Sequence, residues 1–119
     1  MTVVLVADGD AIVLRLLSQA LTIFDYEPVT ASNGLVALEL VNELLPTVAV
    51  IDAHMPDVDG VDIVTAIRSN ARTADMRVML IAASTDDADR LTAAGADLVL
   101  RKPFKLAELE QHLRSLLEE

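Results

Sequence analysis

Apolar and polar positions along this chain follow two rhythms. Short unbroken apolar runs stand at Val3 to Ala7, Thr47 to Ile51, Val78 to Ala82 and Leu98 to Arg101, each closed by polar or turn-forming residues. Runs of this length predict strands buried on both faces, as the strands of a parallel sheet are. Glu27 to Ala31 is a fifth and less apolar strand, and Pro28 within it predicts a place at the sheet edge. Between these runs the rhythm becomes helical. Ile12, Leu16, Leu17, Ala20 and Leu21 mark an amphipathic helix from Ala11 to about Phe24, with Asp10 as its N-cap. Ser32-Asn33-Gly34 starts a second helix over roughly Leu35 to Leu45, stopped by Pro46. A third runs from Val61 to about Ser69, and Asn70 to Asp75 after it reads as a polar loop. Ser84-Thr85-Asp86-Asp87 opens a short fourth helix that ends at Ala93-Ala94-Gly95, with Gly95 in the C′ position. Leu106 to Leu117 is a closing amphipathic helix.

Five β-α units in uninterrupted alternation predict one α/β domain over residues 1–119, a doubly wound, flavodoxin-like sheet of five parallel strands in the order 2-1-3-4-5 with five helices. That order gathers the carboxyl ends of strands one, three, four and five around one crevice, where open α/β sheets bind their ligands. Asp8, Asp10, Asp52, Ala82 and Lys102 all stand at those ends.

Composition narrows the class. Hydrophobic residues make up 53% of the chain, enough for a core, and aromatics only 3%, which suits close helix-on-sheet packing. Without cysteine there is no disulfide framework and no Cys-based metal site. No apolar run approaches the roughly 18–20 residues of a membrane span, and Met1-Thr2-Val3 leads directly into a strand, so a cytoplasmic protein with no membrane partner is expected. The net charge of −10 argues against a surface that tracks nucleic-acid phosphates. Arg68, Arg72 and Arg77 are the nearest approach to a basic cluster and read as a solvated face.

The chemistry concentrates in the stretch from Thr47 to Gly60. An apolar strand stops at Asp52 and gives way to Pro56, two further acids and Gly60, residues that end a strand and make a loop. The pattern Asp52-x-x-Met55-Pro56-x-x-Asp59-Gly60 resembles the phosphoacceptor loop of response-regulator receiver domains, and the resemblance extends over nearly the whole chain. It implies that Asp52 takes a phosphoryl group from a histidine kinase or phosphotransfer protein, that Pro56 and Gly60 hold the loop open beside it, and that a downstream protein target reads the result. It implies Mg²⁺ held by acids after strand one, by Asp52 and by the main-chain oxygen of His54. Lys102 then contacts the phosphoryl group, and the peptide bond before Pro103 is cis. These parts match the needs of phosphoryl transfer: a nucleophilic oxygen, a hard cation and fixed donors for the remaining charge.

Three positions depart from the family pattern. Where receivers carry two adjacent acids after strand one, this chain has Asp8 and then Gly9, which implies a weakened Mg²⁺ site. Gly9 makes the turn pliable enough for Asp10 to swing in as a substitute, while Asp10 serves equally well as a helix cap. The family's Thr or Ser at the end of strand four is Ala82, with Ser84 on the same strand parity if the alignment shifts. The switch aromatic three residues before the lysine is Val99. His54 is expected to act through its carbonyl, and His112 to be solvent-exposed.

Three functions compete at this point. One is a receiver phosphorylated on Asp52, either stand-alone or one domain of a longer protein. Another is a degenerate receiver acting as a phosphorylation-independent interaction module, to which Gly9, Ala82 and Val99 point. The last is a phosphatase of the haloacid-dehalogenase type, since Asp8-Gly9-Asp10 resembles its Asp-x-Asp opening, but no later acidic pair or cap domain follows. The expectation is a signalling module rather than an enzyme. A homodimer is compatible with the family, although no exposed apolar stripe stands out in the sequence.

Overall fold

A computed structural model describes residues 1–118. Five strands, β1 (Val3–Ala7), β2 (Glu27–Ala31), β3 (Val48–Asp52), β4 (Arg77–Ala82) and β5 (Leu98–Arg101), alternate with five helices. The helices are α1 (Ala11–Ile23), α2 (Gly34–Leu44), α3 (Gly60–Ser69), α4 (Ala88–Ala93) and α5 (Leu106–Leu117). All strand pairs are parallel and the order is β2-β1-β3-β4-β5, as the alternation predicts.

Two apolar clusters sandwich the sheet. Val4, Val6, Val48, Val50, Met79, Ile81 and Leu100 face α1 and α5, where Leu17, Leu21, Leu109 and Leu113 cover them. Leu5, Ala7, Ala49, Ile51, Leu80 and Ala82 face α2, α3 and α4 through Val41, Ile63, Ile67 and Leu91. The sheet is buried on both sides, which is why its strands carry unbroken apolar runs rather than alternating ones. β2 lies at an edge and is half-covered, where Pro28 costs no ladder bond that matters.

The helix starts are set by short acceptors. Asp10, Asn33, Asp59 and Asp87 each accept backbone N–H groups of the first turn. At α5 the Glu108 carboxylate instead accepts the Lys105 N–H at 3.1 Å. Gly95, at φ 122°, occupies the left-handed region after α4 that glycine takes without strain. Arg68 corrects the reading of a solvated basic face. Its guanidinium donates to the carbonyls of Gly95 (2.9 Å) and Ala74 (2.9 Å) and to Asp97 (2.9 Å), tying the α3–β4 loop to the start of β5. His112 is half-buried rather than exposed.

Candidate functional site

The alternation that turns Val4 and Val6, Val48 and Val50, and Leu98 and Leu100 toward α1 and α5 brings Asp8, Asp52 and Lys102 to the same side at the strand ends. There they meet. Lys102 Nζ lies 3.3 Å from Asp52 Oδ2 and 3.6 Å from Asp8 Oδ2. Asp8 is only 2% exposed and Asp52 is also buried, whereas Lys102 reaches in from a half-exposed position. The Lys102–Pro103 peptide is cis.

The electrostatics are those of two carboxylates sharing one cation. Burial, and next the charge of Asp52, hold the Asp8 carboxyl above its ordinary value, against a backbone N–H from Asp10 and the ammonium of Lys102. Desolvation works to lower the Lys102 pKa, but the charges of Asp52 and Asp8 outweigh it and raise the value. Asp8 Oδ1 accepts the Asp10 N–H at 2.8 Å, while Asp8 Oδ2 is buried with no hydrogen-bond partner. Its nearest cation, Lys102 Nζ at 3.6 Å, lies beyond hydrogen-bond reach, so this buried oxygen is left with room for a closer cation.

The loop after β3 is built to present Asp52. Asp52 Oδ1 accepts the His54 N–H at 2.9 Å. Gly60 donates its N–H to the Ala53 carbonyl at 2.8 Å, and a Cβ at Gly60 would stand 2.6 Å from Ala53 Cα. Glycine is there because two backbones touch. Gly60 thus closes the loop rather than holding it open. Asp57 fastens the far side of the loop to α2, accepting the N–H groups of Gly34 (2.7 Å) and Leu35 (3.0 Å). The Gly34 bond leads the causes that hold the Asp57 carboxyl below its ordinary value.

The other expected residues are placed less simply. Asp10 does not swing in as a substitute acid. Its carboxylate accepts from Ile12 N–H (2.8 Å) and Val13 N–H (3.5 Å), because the open first turn of α1 has donors to satisfy. A Cβ at Gly9 would lie 3.1 Å from Pro56 Cδ, so Pro56 packs closely over the position of the missing acid. Among the described residues no group of three or more His, Cys, Asp or Glu side chains is arranged to hold a metal. Ala82 is fully buried against the α2–α4 side, in phase opposite to Asp52, and Asp52 pairs in register with Ile81. Ser84 does not rescue the missing hydroxyl. It lies beyond β4, exposed, with its carbonyl accepting from Arg101 at 3.2 Å. Val99 is half-buried in the same apolar cluster as Ala82.

Two features escape a reading of the sequence. The His54 ring is 61% exposed and its Nε2 lies 2.8 Å from both oxygens of Asp86, 32 residues away. Beside Lys102, a groove of about 650 Å³ opens between α1 and the β5–α5 turn, lined by Val13, Leu16, Leu17, Pro103, Phe104 and Leu106. With Ile12 at 72% and Leu16 at 54% exposure, this is the exposed apolar stripe that the sequence did not disclose. The helical spacing of Ile12, Leu16 and Leu17 was the signal, but α1 carries more apolar residues than one face can bury.

A five-stranded sheet of this order with a buried acid pair and a cis-proline lysine at its carboxyl edge defines a receiver-type module. The profile of the response regulator receiver domain matches residues 4–114, and the chain belongs to that family. It is 40% identical over 114 residues to the transcriptional regulatory protein PrrA of Mycobacterium tuberculosis, covering 96% of this chain and 49% of PrrA. It is 37% identical over 116 residues to the probable transcriptional regulator ycf27 of Porphyra purpurea, covering 96% of this chain and 46% of that protein. The chain therefore spans about half the length of these curated relatives. Among solved structures it is similar to a response regulator of Chloroflexus aurantiacus, with a TM-score of 0.93 and 27% identity over 99% of this chain and 98% of that one. It is also similar to the chemotaxis protein CheY4 of Vibrio cholerae, with a TM-score of 0.91 and 26% identity over 98% and 99% of the two chains. Receiver domains are signalling modules of two-component systems rather than enzymes in the ordinary sense. No helix among the described residues is long and apolar enough to cross a membrane.

Proposed function

We propose that this chain accepts a phosphoryl group on Asp52 from a histidine kinase or phosphotransfer protein and signals through protein partners. The observation that carries the reading is the buried Asp52 carboxylate paired with Lys102 at 3.3 Å beside a second buried carboxylate. In the transfer, an Asp52 oxygen attacks phosphorus as the bond to the donor's imidazole nitrogen breaks with its electron pair, leaving a mixed anhydride on Asp52. The Lys102 ammonium donates to a phosphoryl oxygen as charge accumulates there. Asp8 has two duties, holding Lys102 in place and keeping an anionic oxygen available to a cation.

Receiver domains typically bind Mg²⁺ at this site. The residues here fit it in part. Asp8 Oδ2 is a buried oxygen without a hydrogen-bond partner, and Asp52 and the main-chain oxygen of His54 would be the other ligands. Gly9 and the capping of α1 by Asp10 leave that set one carboxylate short of the family's, so weak affinity is expected. Bound there, Mg²⁺ supplies neutralisation of the phosphoryl oxygens.

A phosphorylation-independent interaction module is the second reading, favoured by Gly9, Ala82 and Val99 and opposed by the intact Asp8–Lys102–Asp52 cluster. The half-length match to transcriptional regulators points to an output on transcription where this chain is part of a longer protein. The expected absence of nucleic acid therefore has no support beyond this acidic segment. A cytoplasmic setting and pairing of two copies belong to the same reading. The experiment is intact mass after incubation with acetyl phosphate, with and without Mg²⁺, on wild type and Asp52→Asn. A Mg²⁺-dependent phosphoryl adduct that Asp52→Asn lacks supports the reading, and an unmodified mass in every sample sinks it.

A further inference from the structure

The His54–Asp86 contact joins the two loops that border Asp52. On one side it is continuous with the site: the His54 backbone N–H donates to Asp52 Oδ1 at 2.9 Å. On the other it grips a folded turn. Asp86 Oδ2 accepts the Ala83 N–H at 2.8 Å, and the Asp86 N–H donates to the Ala83 carbonyl at 3.1 Å. Asp87, the next residue, is the N-cap of α4. The Ala83 carbonyl also accepts from Arg101 at 3.3 Å, next to Lys102. Between these loops Ala82 and Val99 offer only methyl groups, which transmit packing but hold no directional bond.

We propose that the His54–Asp86 clasp is the link that couples the Asp52 carboxylate to the β4–α4 segment and the start of α4. The ring nitrogen is equidistant from both Asp86 oxygens, and a ring exposed over most of its surface is held by little else than this carboxylate. Changing Asp52 changes the strength of its bond to the His54 N–H, because a carboxylate oxygen is a stronger acceptor than a neutral carbonyl. The His54 backbone shifts in response and the ring carries that shift to Asp86. The coupling is a property of the unmodified chain as well, so it does not depend on which donor, if any, modifies Asp52.

The test is a double-mutant cycle read by hydrogen exchange of the amides from Ala83 to Ala93, on wild type, Asp52→Ala, His54→Ala and the double variant. His54 is exposed, so His54→Ala leaves the fold intact, and amides in β2, at the far edge of the sheet, serve as the control. The expected result is that each single variant speeds exchange of Ala83 to Ala93 by about threefold, and that the double variant is no faster than His54→Ala alone. Asp86→Asn keeps an acceptor for Ala83 and is expected to shift the same amides less. Additive effects of Asp52→Ala and His54→Ala, or no change in this segment with His54→Ala, overturn the proposal. Exchange measured after acetyl phosphate treatment adds a separate arm, in which a missing adduct counts against Asp52 as phosphoacceptor and leaves the outcome of the cycle standing.

Discussion

The two halves of the carboxyl edge differ sharply. At the ends of β1, β3 and β5 the chain keeps charge where charge is expensive: two buried carboxylates around one ammonium. At the end of β4 and along β5 it has given up polarity, with Ala82 fully buried and Val99 packed beside the same cluster. On the proposed function, phosphoryl acceptance would draw on the first region and the response to it on the second. Burying two acids is tolerated only with a partner in place, whereas the apolar Ala82 and Val99 need none.

The largest expected effect falls on the charged half. Lys102→Ala removes the shared cation, leaving both carboxylates unpaired, and is expected to slow adduct formation by roughly 10²–10³-fold, followed by mass spectrometry over time. A rate unchanged by this substitution erases the contrast between the halves, since Lys102 would then be ornamental. Gly9→Asp restores the missing acid and is expected to tighten Mg²⁺ binding roughly tenfold, read by calorimetry. The gain is limited by the contact that any Cβ there makes with Pro56.

Structural effects come next. Gly60→Ala forces a Cβ onto Ala53 and is expected to cost about 3 kcal/mol in denaturant unfolding. Asp8→Asn is expected to stabilise the chain at neutral pH in the presence of a chelator, because an acid with a raised pKa opposes folding once ionised. Folding takes up a proton at such a site. The wild-type disadvantage is therefore full above the raised folded value and vanishes as pH falls below the ordinary 3.8. Unfolding curves of both proteins across that range check the sign. Asp10→Ala is expected to cost only about 1 kcal/mol as a lost N-cap and to leave Mg²⁺ binding unchanged. A fall in Mg²⁺ affinity would assign Asp10 to the metal after all.

The sequence carried most of the fold because strand burial and helix capping are local signals. Leu98–Arg101 and Leu106–Leu117 agree residue for residue, and β3 shows itself by an apolar run that ends on an acid. Asp8, Asp52 and Lys102 were legible as a site because each stands at the carboxyl end of a strand whose order the topology rules restrict. What the sequence hides is pairing across the surface. Arg68 reaches Gly95 and Asp97, Asp57 caps a helix that begins 23 residues earlier, and His54 finds Asp86. None of these leaves a periodic trace, since each depends on where two loops come to rest after the sheet has formed. Asp10 shows the converse case, in which one residue suits two roles and the nearest unsatisfied N–H groups decide between them.

Borohydride trapping of the phosphorylated chain tests the central claim most directly. The reagent reduces an acyl phosphate and converts the modified aspartate to homoserine, which peptide sequencing by mass spectrometry then locates. The predicted result is homoserine at position 52 alone, formed only after phosphodonor treatment and absent from Asp52→Asn. Homoserine at position 8, or at no position while a phosphodonor is consumed, would contradict the assignment of Asp52.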